Sequence, residues 1–277
     1  MRFCSFRLDG QDAWGLIDGD AVIVQQGWPT LADAIAAGAL SSQGDFASDG
    51  RRVPLTDLEW RPVIPNPGKI LCVGLNYENH RKETGRAEVQ HPTIFTRFAD
   101  SQTAHRADIV LPPESDRLDY EGELAVVIGR GGRRIPAAEA MAHVAGYSCY
   151  NDGSIRDWQA HTIQFTPGKN WAETGAFGPW LVTADAFGAI GPQRLQTRLN
   201  GEVMQDAVLS DMIFPVPQLI EYISTFTPLS PGDVIVSGTP GGVGAKRNPP
   251  VFMKPGDTVE IEIDGIGVLT NGIARRA

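Results

Sequence analysis

The sequence predicts a mixed, β-dominated α+β fold, with a small β-rich unit (residues 1–65) ahead of a larger one (66–277). Three observations carry this. Thirty-one glycines and twenty prolines cut the 277 residues into short pieces. The runs between them are short, apolar and rich in β-branched residues, as strands are. Long helical patterns are few, the best later one being Val216 to Phe226.

In the first unit, Phe3 to Phe6 and Ala21-Val22-Ile23-Val24 read as strands linked through Asp9-Gly10 and Asp18-Gly19 turns. Thr30 is placed to cap a short helix from Leu31 to Ala37 that Gly38 ends. Pro62, Pro65 and Pro67 mark a linker, and the unit is expected to pack separately. Beyond it, Ile70 to Gly74 reads as a buried strand, followed by a short helix with Asn76 as cap and Gly85 as stop. Pro92 to Phe98, Val144 to Tyr150, Leu195 to Asn200, Val203-Met204, Val234 to Gly238 and Thr258 to Ile263 complete the strands.

Bulk properties exclude several functions. A formal net charge of −9 and a pI near 5.0 argue against nucleic acid and against anionic membrane surfaces. An anionic small substrate remains open if a metal and a few basic groups line its pocket. Cys4, Cys72 and Cys149 are few, odd in number and widely spaced, which suggests reduced thiols in a cytoplasmic protein. The first residues lack the apolar stretch of a signal peptide, and no run approaches a membrane span.

The run Leu118 to Gly129 holds the densest chemistry. Side chains alternate along a strand, so Glu121 and Glu123 share a side with Ala125 and Val127. Gly122, Leu124, Val126 and Ile128 line the other side, and a strand apolar on both faces is normally buried. Two carboxylates at its mouth would repel, and each would be costly unpaired. A divalent cation resolves the conflict, with oxygen ligands favouring magnesium, manganese or calcium over zinc. A solvated strand end is the alternative.

Other candidates are ambiguous one at a time. His80 and Glu83, three apart, share a helical face, where a carboxylate can orient an imidazole as a base; the pair can equally be a surface contact. Arg97 can face a pocket or solvent. Asp152 stands where a strand gives way to a helix and can cap that helix or supply a third oxygen ligand. Arg156 and Gln159 share its helical face, a loop delivers Lys169, and Thr239 opens a glycine-rich loop that is no Walker motif.

Taken in order, Gly74-Leu75-Asn76-Tyr77, His80, Glu83, the run Asp119-Tyr120-Glu121-Gly122-Glu123-Leu124, and Asn151-Asp152-x-Ser154-x-Arg156-Asp157-x-Gln159 form an ordered set. With Lys169 and the closing Gly238 to Gly244, the set resembles the fumarylacetoacetate hydrolase superfamily over roughly residues 66 to 273. The resemblance implies a β-sandwich roll, usually dimeric, that binds Mg2+ or Mn2+ through Glu121, Glu123 and Asp152, with Ca2+ able to replace them in a crystal. It also implies a water-activating pair at His80 and Glu83, a catalytic Lys169, and substrate contacts from Tyr77, Arg97, Arg156, Gln159 and Thr239. Family members often carry a lysine, prolines and a serine where this chain has Arg97-Phe98-Ala99-Asp100-Ser101, so substrate identity does not carry over there.

The implied reaction is hydrolysis of an acylpyruvate-type 2,4-dioxo acid at a C–C bond, the cation stabilising the pyruvate enolate. Oxaloacetate decarboxylation and isomerisation of a 2-hydroxy-diene-dioate would use the same enolate, while His80 with Glu83 leans toward hydrolysis. A protein that keeps the fold and binds a metal or ligand without catalysis is the alternative of another class.

Overall fold

The computed structural model describes residues 1–40, 47–85 and 87–276. Its centre is a twelve-stranded sheet. Across it lie Ser48–Pro54, Ala21–Gln25, Gln11–Asp18, Arg2–Leu8, Gly175–Thr183, Val144–Asp152, Gly122–Ile128, Val234–Val236, Ile70–Gly74 and Thr93–Arg97, with Glu59–Trp60 and Gln102–Ala104 off the main path. A five-stranded sheet of Glu202–Val208, Arg194–Leu199, Thr258–Ile263, Gly267–Arg275 and Ile109–Leu111 packs beside it. The β-dominated expectation is met.

The strand Gly122–Ile128 is buried along its whole length, and its two faces belong to two cores. Leu124, Val126 and Ile128 pack with Leu195, Ile261, Ile263 and Leu269 of the five-stranded sheet and with Leu219, Ile220 and Ile223 of the helix Val216–Phe226. Ala125 and Val127 pack with Ile70, Phe177, Val234 and Val236 on the other side. Burying each large apolar side chain contributes about 1.5–3 kcal/mol, so slipping this strand by one residue would forfeit both cores and expel the acids.

Residues 1–65 are not separately packed. Phe3 pairs antiparallel with Leu181, which makes the N-terminal strands an extension of the central sheet. Phe3, Trp14, Leu31 and Ile35 lie in the same core as Val127 and Phe177. The reason is the strand Gly175–Thr183, whose open edge and apolar side chains need a partner. The cap of the helix Leu31–Ala36 is as expected: Asp33 N donates to Thr30 Oγ1 at 3.1 Å, and Thr30 N to Asp33 Oδ2 at 3.1 Å. No helix among the described residues is long and apolar enough to cross a membrane.

One cap differs from expectation. The helix before Gly85 runs Glu78–Thr84 and begins after Tyr77, with no side-chain cap. Asn76 is buried and engaged elsewhere: its amide donates to Ser237 O at 2.7 Å and Phe214 O at 3.0 Å and accepts from Phe214 N at 2.7 Å. It thus joins three segments behind the site. Gly238, at φ +101, allows this approach, since a Cβ there would lie 2.6 Å from that of Asn76.

Candidate active site

The antiparallel pairing of Gly122 with Asn151 sets Glu121 and Glu123 beside the end of the next strand, where Asp152 emerges. Asn151 Oδ1 accepts from Glu121 N at 2.9 Å, and Glu121 O from Asp152 N at 2.8 Å, so the acids are fixed through their backbones. All three carboxylates are buried, and one oxygen from each lies within 4.8 Å of the others. Asp152 caps no helix, because Ile155 occupies the N-cap position before Arg156–Gln159 and makes no side-chain cap.

Three cations surround the acids. Lys169, at the end of the one-turn helix Thr166–Lys169, is buried; its ammonium donates to Glu121 Oε2 and Asp152 Oδ2, each at 2.6 Å. Arg97 donates from Nη1 to Asp152 Oδ1 at 2.6 Å. Arg156 lies 2.7 Å from Glu121 Oε1 through Nη2 and donates from Nε to Asp119 Oδ2 at 2.8 Å. Burial would raise the Glu121 carboxyl, but Lys169 and Arg156 outweigh it and hold its pKa at about 2.

Glu123 differs. It accepts from Gly238 N at 2.5 Å, yet among the described residues it pairs with no cation. Burial first, then the charges of Asp152 and Glu121, push its carboxyl well above the ordinary range. A buried set of carboxylate oxygens with one uncompensated member suits a divalent cation with a preference for oxygen. Glu121, Glu123 and Asp152 would hold it.

A cavity of about 670 Å3 opens in front of Glu121 and Glu123. Glu121, Glu123, Lys169 and Arg156 line one part; His80 and Thr239 line another, and Phe95, Phe165 and Ile163 form an apolar wall. His80 Nδ1 stands 2.8 Å from Glu83 Oε1, and Glu83 Oε2 accepts from Gly242 N at 2.9 Å. Burial raises the Glu83 carboxyl, but hydrogen bonds from His80 and the Gly242 amide outweigh it and leave its pKa below the usual value. An ionised Glu83 takes the Nδ1 hydrogen and leaves Nε2 with the lone pair of a base. The helix Glu78–Thr84, too short to be stable alone, is docked by Gly241 N on Asn79 Oδ1 at 3.0 Å.

The expected substrate contacts divide. Arg156 Nη1 donates to Gln159 Oε1 at 2.9 Å, so the Gln159 amide group is left to donate into the cavity that both residues line. Thr239 gives its hydroxyl hydrogen to Gly122 O at 3.0 Å and accepts from Gln205 Nε2 at 2.8 Å, so it faces the cavity without a hydrogen to offer. Arg97 is neither a substrate contact nor a surface charge. It is sealed behind Asp152, also donating to Gly153 O, Ser101 O and Thr174 Oγ1, and is absent from the cavity wall. A Cβ at position 175 would stand 2.6 Å from its guanidinium, so Gly175 makes its room. Tyr77 is wholly buried beneath the His80 helix and lies off the cavity as well.

Sequence reasoning missed two buried anchors. Asp119 accepts from Gly244 N at 2.8 Å and Ala245 N at 2.9 Å as well as from Arg156, tying the glycine-rich loop to the acid site. Gln205 accepts from Gly122 N at 2.9 Å and donates to Pro240 O at 2.8 Å, bridging the five-stranded sheet, the acid strand and the same loop. An aspartate two residues before Glu121 in an apolar run was the available signal for the first; a glutamine in an edge strand offered none.

Known proteins of similar sequence and fold cover the whole chain. Residues 69–274 match the family model "Fumarylacetoacetate (FAA) hydrolase C-terminal", and residues 1–62 match "Rv2993c-like, N-terminal". The chain is 40% identical over 252 residues to the Homo sapiens protein named oxaloacetate tautomerase FAHD2A, mitochondrial, covering 90% of this chain and 78% of that one. A solved fumarylacetoacetate hydrolase from Exiguobacterium antarcticum superposes with a TM-score of 0.88 at 32% identity over all of both chains. A 5-carboxymethyl-2-hydroxymuconate delta-isomerase from Mycobacterium smegmatis does so with a TM-score of 0.82, again at 32% identity over all of both. A family model matching most of the length and a relative this similar lead to one conclusion: the chain belongs to the fumarylacetoacetate hydrolase family of enzymes.

Proposed function

We propose that this enzyme moves a proton at the carbon beside the 2-oxo group of a small anionic 2-oxo acid, as in the enol–keto interconversion of oxaloacetate, with Mg2+ or Mn2+ at Glu121, Glu123 and Asp152. The observation that carries this reading is the His80–Glu83 pair, since His80 lines one cavity with Glu121 and Glu123, two of the three clustered acids. In the direction from keto to enol, His80 Nε2 takes the proton from C3, and Glu83 steadies the imidazolium so formed. A proton then returns to the 2-oxo oxygen from the imidazolium or from solvent. The Gln159 amide is placed to donate to an oxygen on which charge develops. Lys169 keeps Glu121 and Asp152 in position, and its ammonium stands 5.1 Å from the centre of the Phe95 ring. A bound divalent cation supplies positive charge for the substrate's carboxylate and 2-oxo oxygens. The names of the human tautomerase and the mycobacterial isomerase support rearrangement as the reaction class.

Hydrolytic C–C cleavage of an acylpyruvate is the second reading, favoured by the wall of Phe95, Phe165 and Ile163, which suits an acyl group. Here His80 would take a proton from water as its oxygen bonds to the distal carbonyl carbon, and the C–C bond would break toward a carboxylic acid and pyruvate. Incubation with oxaloacetate enol and a panel of 2,4-dioxo acids in heavy-oxygen water separates the two. Loss of the enol's ultraviolet absorbance without fragmentation supports tautomerisation; a released carboxylic acid carrying heavy oxygen overturns it in favour of hydrolysis. The working unit proposed is a homodimer, and light scattering that gave the mass of one 29.9 kDa chain would refute it.

A further inference from the structure

We infer that Lys246 forms a subsite for a second anionic group on the substrate, which selects 2-oxo dicarboxylates over 2-oxo acids with a neutral far end. The inference rests on the proposed reaction and adds to it which substrates are preferred. Among the described residues, four basic side chains line the cavity. Three are committed to protein carboxylates: Arg156 to Asp119 and Glu121, Lys169 to Glu121 and Asp152, and His80 to Glu83. Among the described residues, the Lys246 ammonium has neither an ion-pair nor a hydrogen-bond partner, and it is exposed at the cavity's edge.

The backbone beneath it is held firmly. Gly244 N and Ala245 N donate to the buried Asp119 carboxylate, Lys246 N donates to Val243 O at 3.1 Å, and Val251 N donates to Gly244 O at 3.0 Å. The neighbouring base is used differently: Arg247 turns inward onto Tyr120 Oη, Gly242 O and Met204 O. Of two adjacent cations, one secures the loop and the other is left for a ligand. Asp119 grips Arg156 as well, so the Lys246 tether and the acid site share one anchor. A dianion approaching a chain of net charge −9 also needs local positive charge at the mouth. The substrate class that fits is a 2-oxo acid whose first carboxylate goes to the acid site and whose second meets the Lys246 ammonium.

The test compares kcat/KM for oxaloacetate with that for its 4-amide, which keeps shape and loses the far charge, with Mn2+ in excess. In Lys246→Met the ratio should fall about 2–5-fold, as expected for losing an ion pair at an exposed position. Lys246→Arg should restore most of it and Lys246→Glu should lower it further. An unchanged ratio, or equal losses on both compounds, overturns the inference. If the parent enzyme converts neither compound, the reaction proposed above fails by itself. Calorimetric binding of the same two compounds to parent and Lys246→Met proteins then decides the subsite, with the same ratio expected and the same outcomes overturning it.

Discussion

Arg97 and Asp152 form a fully buried ion pair, 2.6 Å from Nη1 to Oδ1, immediately behind the acids proposed to hold the cation. Removing Arg97 leaves Asp152 with Lys169, which it shares with Glu121, so the buried cluster carries an excess of negative charge. Arg97→Met should therefore destabilise the protein by about 3–5 kcal/mol, read from chemical denaturation without added metal. The double variant with Asp152→Asn should recover part of the loss, since the excess charge is then removed. Recovery would not follow if the guanidinium acted only by filling space. Gly175→Ala should resemble Arg97→Met, because its new methyl group would displace the guanidinium.

Among the described residues, Glu123 is the acid of the three without a cationic side-chain partner, and its protonation is favoured by burial and by Asp152 and Glu121. With metal removed, Glu123→Gln should be as stable as the parent or more so, because folding then need not protonate this buried carboxyl. The parent should gain about 2.7 kcal/mol in Mn2+ at a hundred times its Kd, seen as a rise in Tm, and the variant should gain far less at the same concentration. Chelation should abolish activity, and Mg2+ or Mn2+ should restore it. Full activity after exhaustive chelation would refute the metal assignment.

Much of this site was legible because strand pairing and residue spacing encode it locally. Glu123 lies in the strand Gly122–Ile128 and Glu121 just before it, where the bond from Asp152 N to Glu121 O continues the pairing, so both carboxylates meet Asp152. His80 and Glu83 lie one helical turn apart and do bond. What sequence could not convey is which side of a wall an arginine occupies. Arg97 ends a strand and Arg156 begins a helix, and only Arg156 reaches the cavity, because Gly175, far along the chain, makes a buried place for Arg97. The N-terminal unit, whose extent agrees with the family model over residues 1–62, differs from expectation in its packing. Its strands read as self-contained, but the edge they satisfy belongs to Gly175–Thr183.

His80 and Glu83 should act as one unit. Replacing His80 with Ala should lower turnover about 10²–10⁴-fold, the usual effect of losing a general base. Glu83→Gln should cost less, since the amide oxygen can still accept from Nδ1 while the charge that steadies the imidazolium is gone. Metal-dependent stabilisation should be the same in both variants as in the parent. Its loss would show that the helix Glu78–Thr84 shapes the acid site and supplies more than the base.

Stability should fall on mild acidification through His105, which lies away from the acid site. Its ring packs edge-on against Trp60 with centroids 5.0 Å apart, and Thr270 N donates to Nδ1 at 3.1 Å, so the neutral form is the one accommodated. Burial, and then the charge of Arg106, lower its pKa from 6.5 to about 4. The unfolded chain therefore binds a proton between those values that the folded chain excludes, and stability declines as pH falls across the window. The decline should approach 1.4 kcal/mol per pH unit, about 3 kcal/mol in all, and should level off below pH 4. Other groups titrate in the same range, so the informative quantity is the difference between the parent and His105→Gln. That variant keeps an acceptor for Thr270 N and cannot take up the proton. Denaturation curves across this range should show a shallower slope for the variant, and parallel slopes would mean that His105 charges in the folded state without penalty.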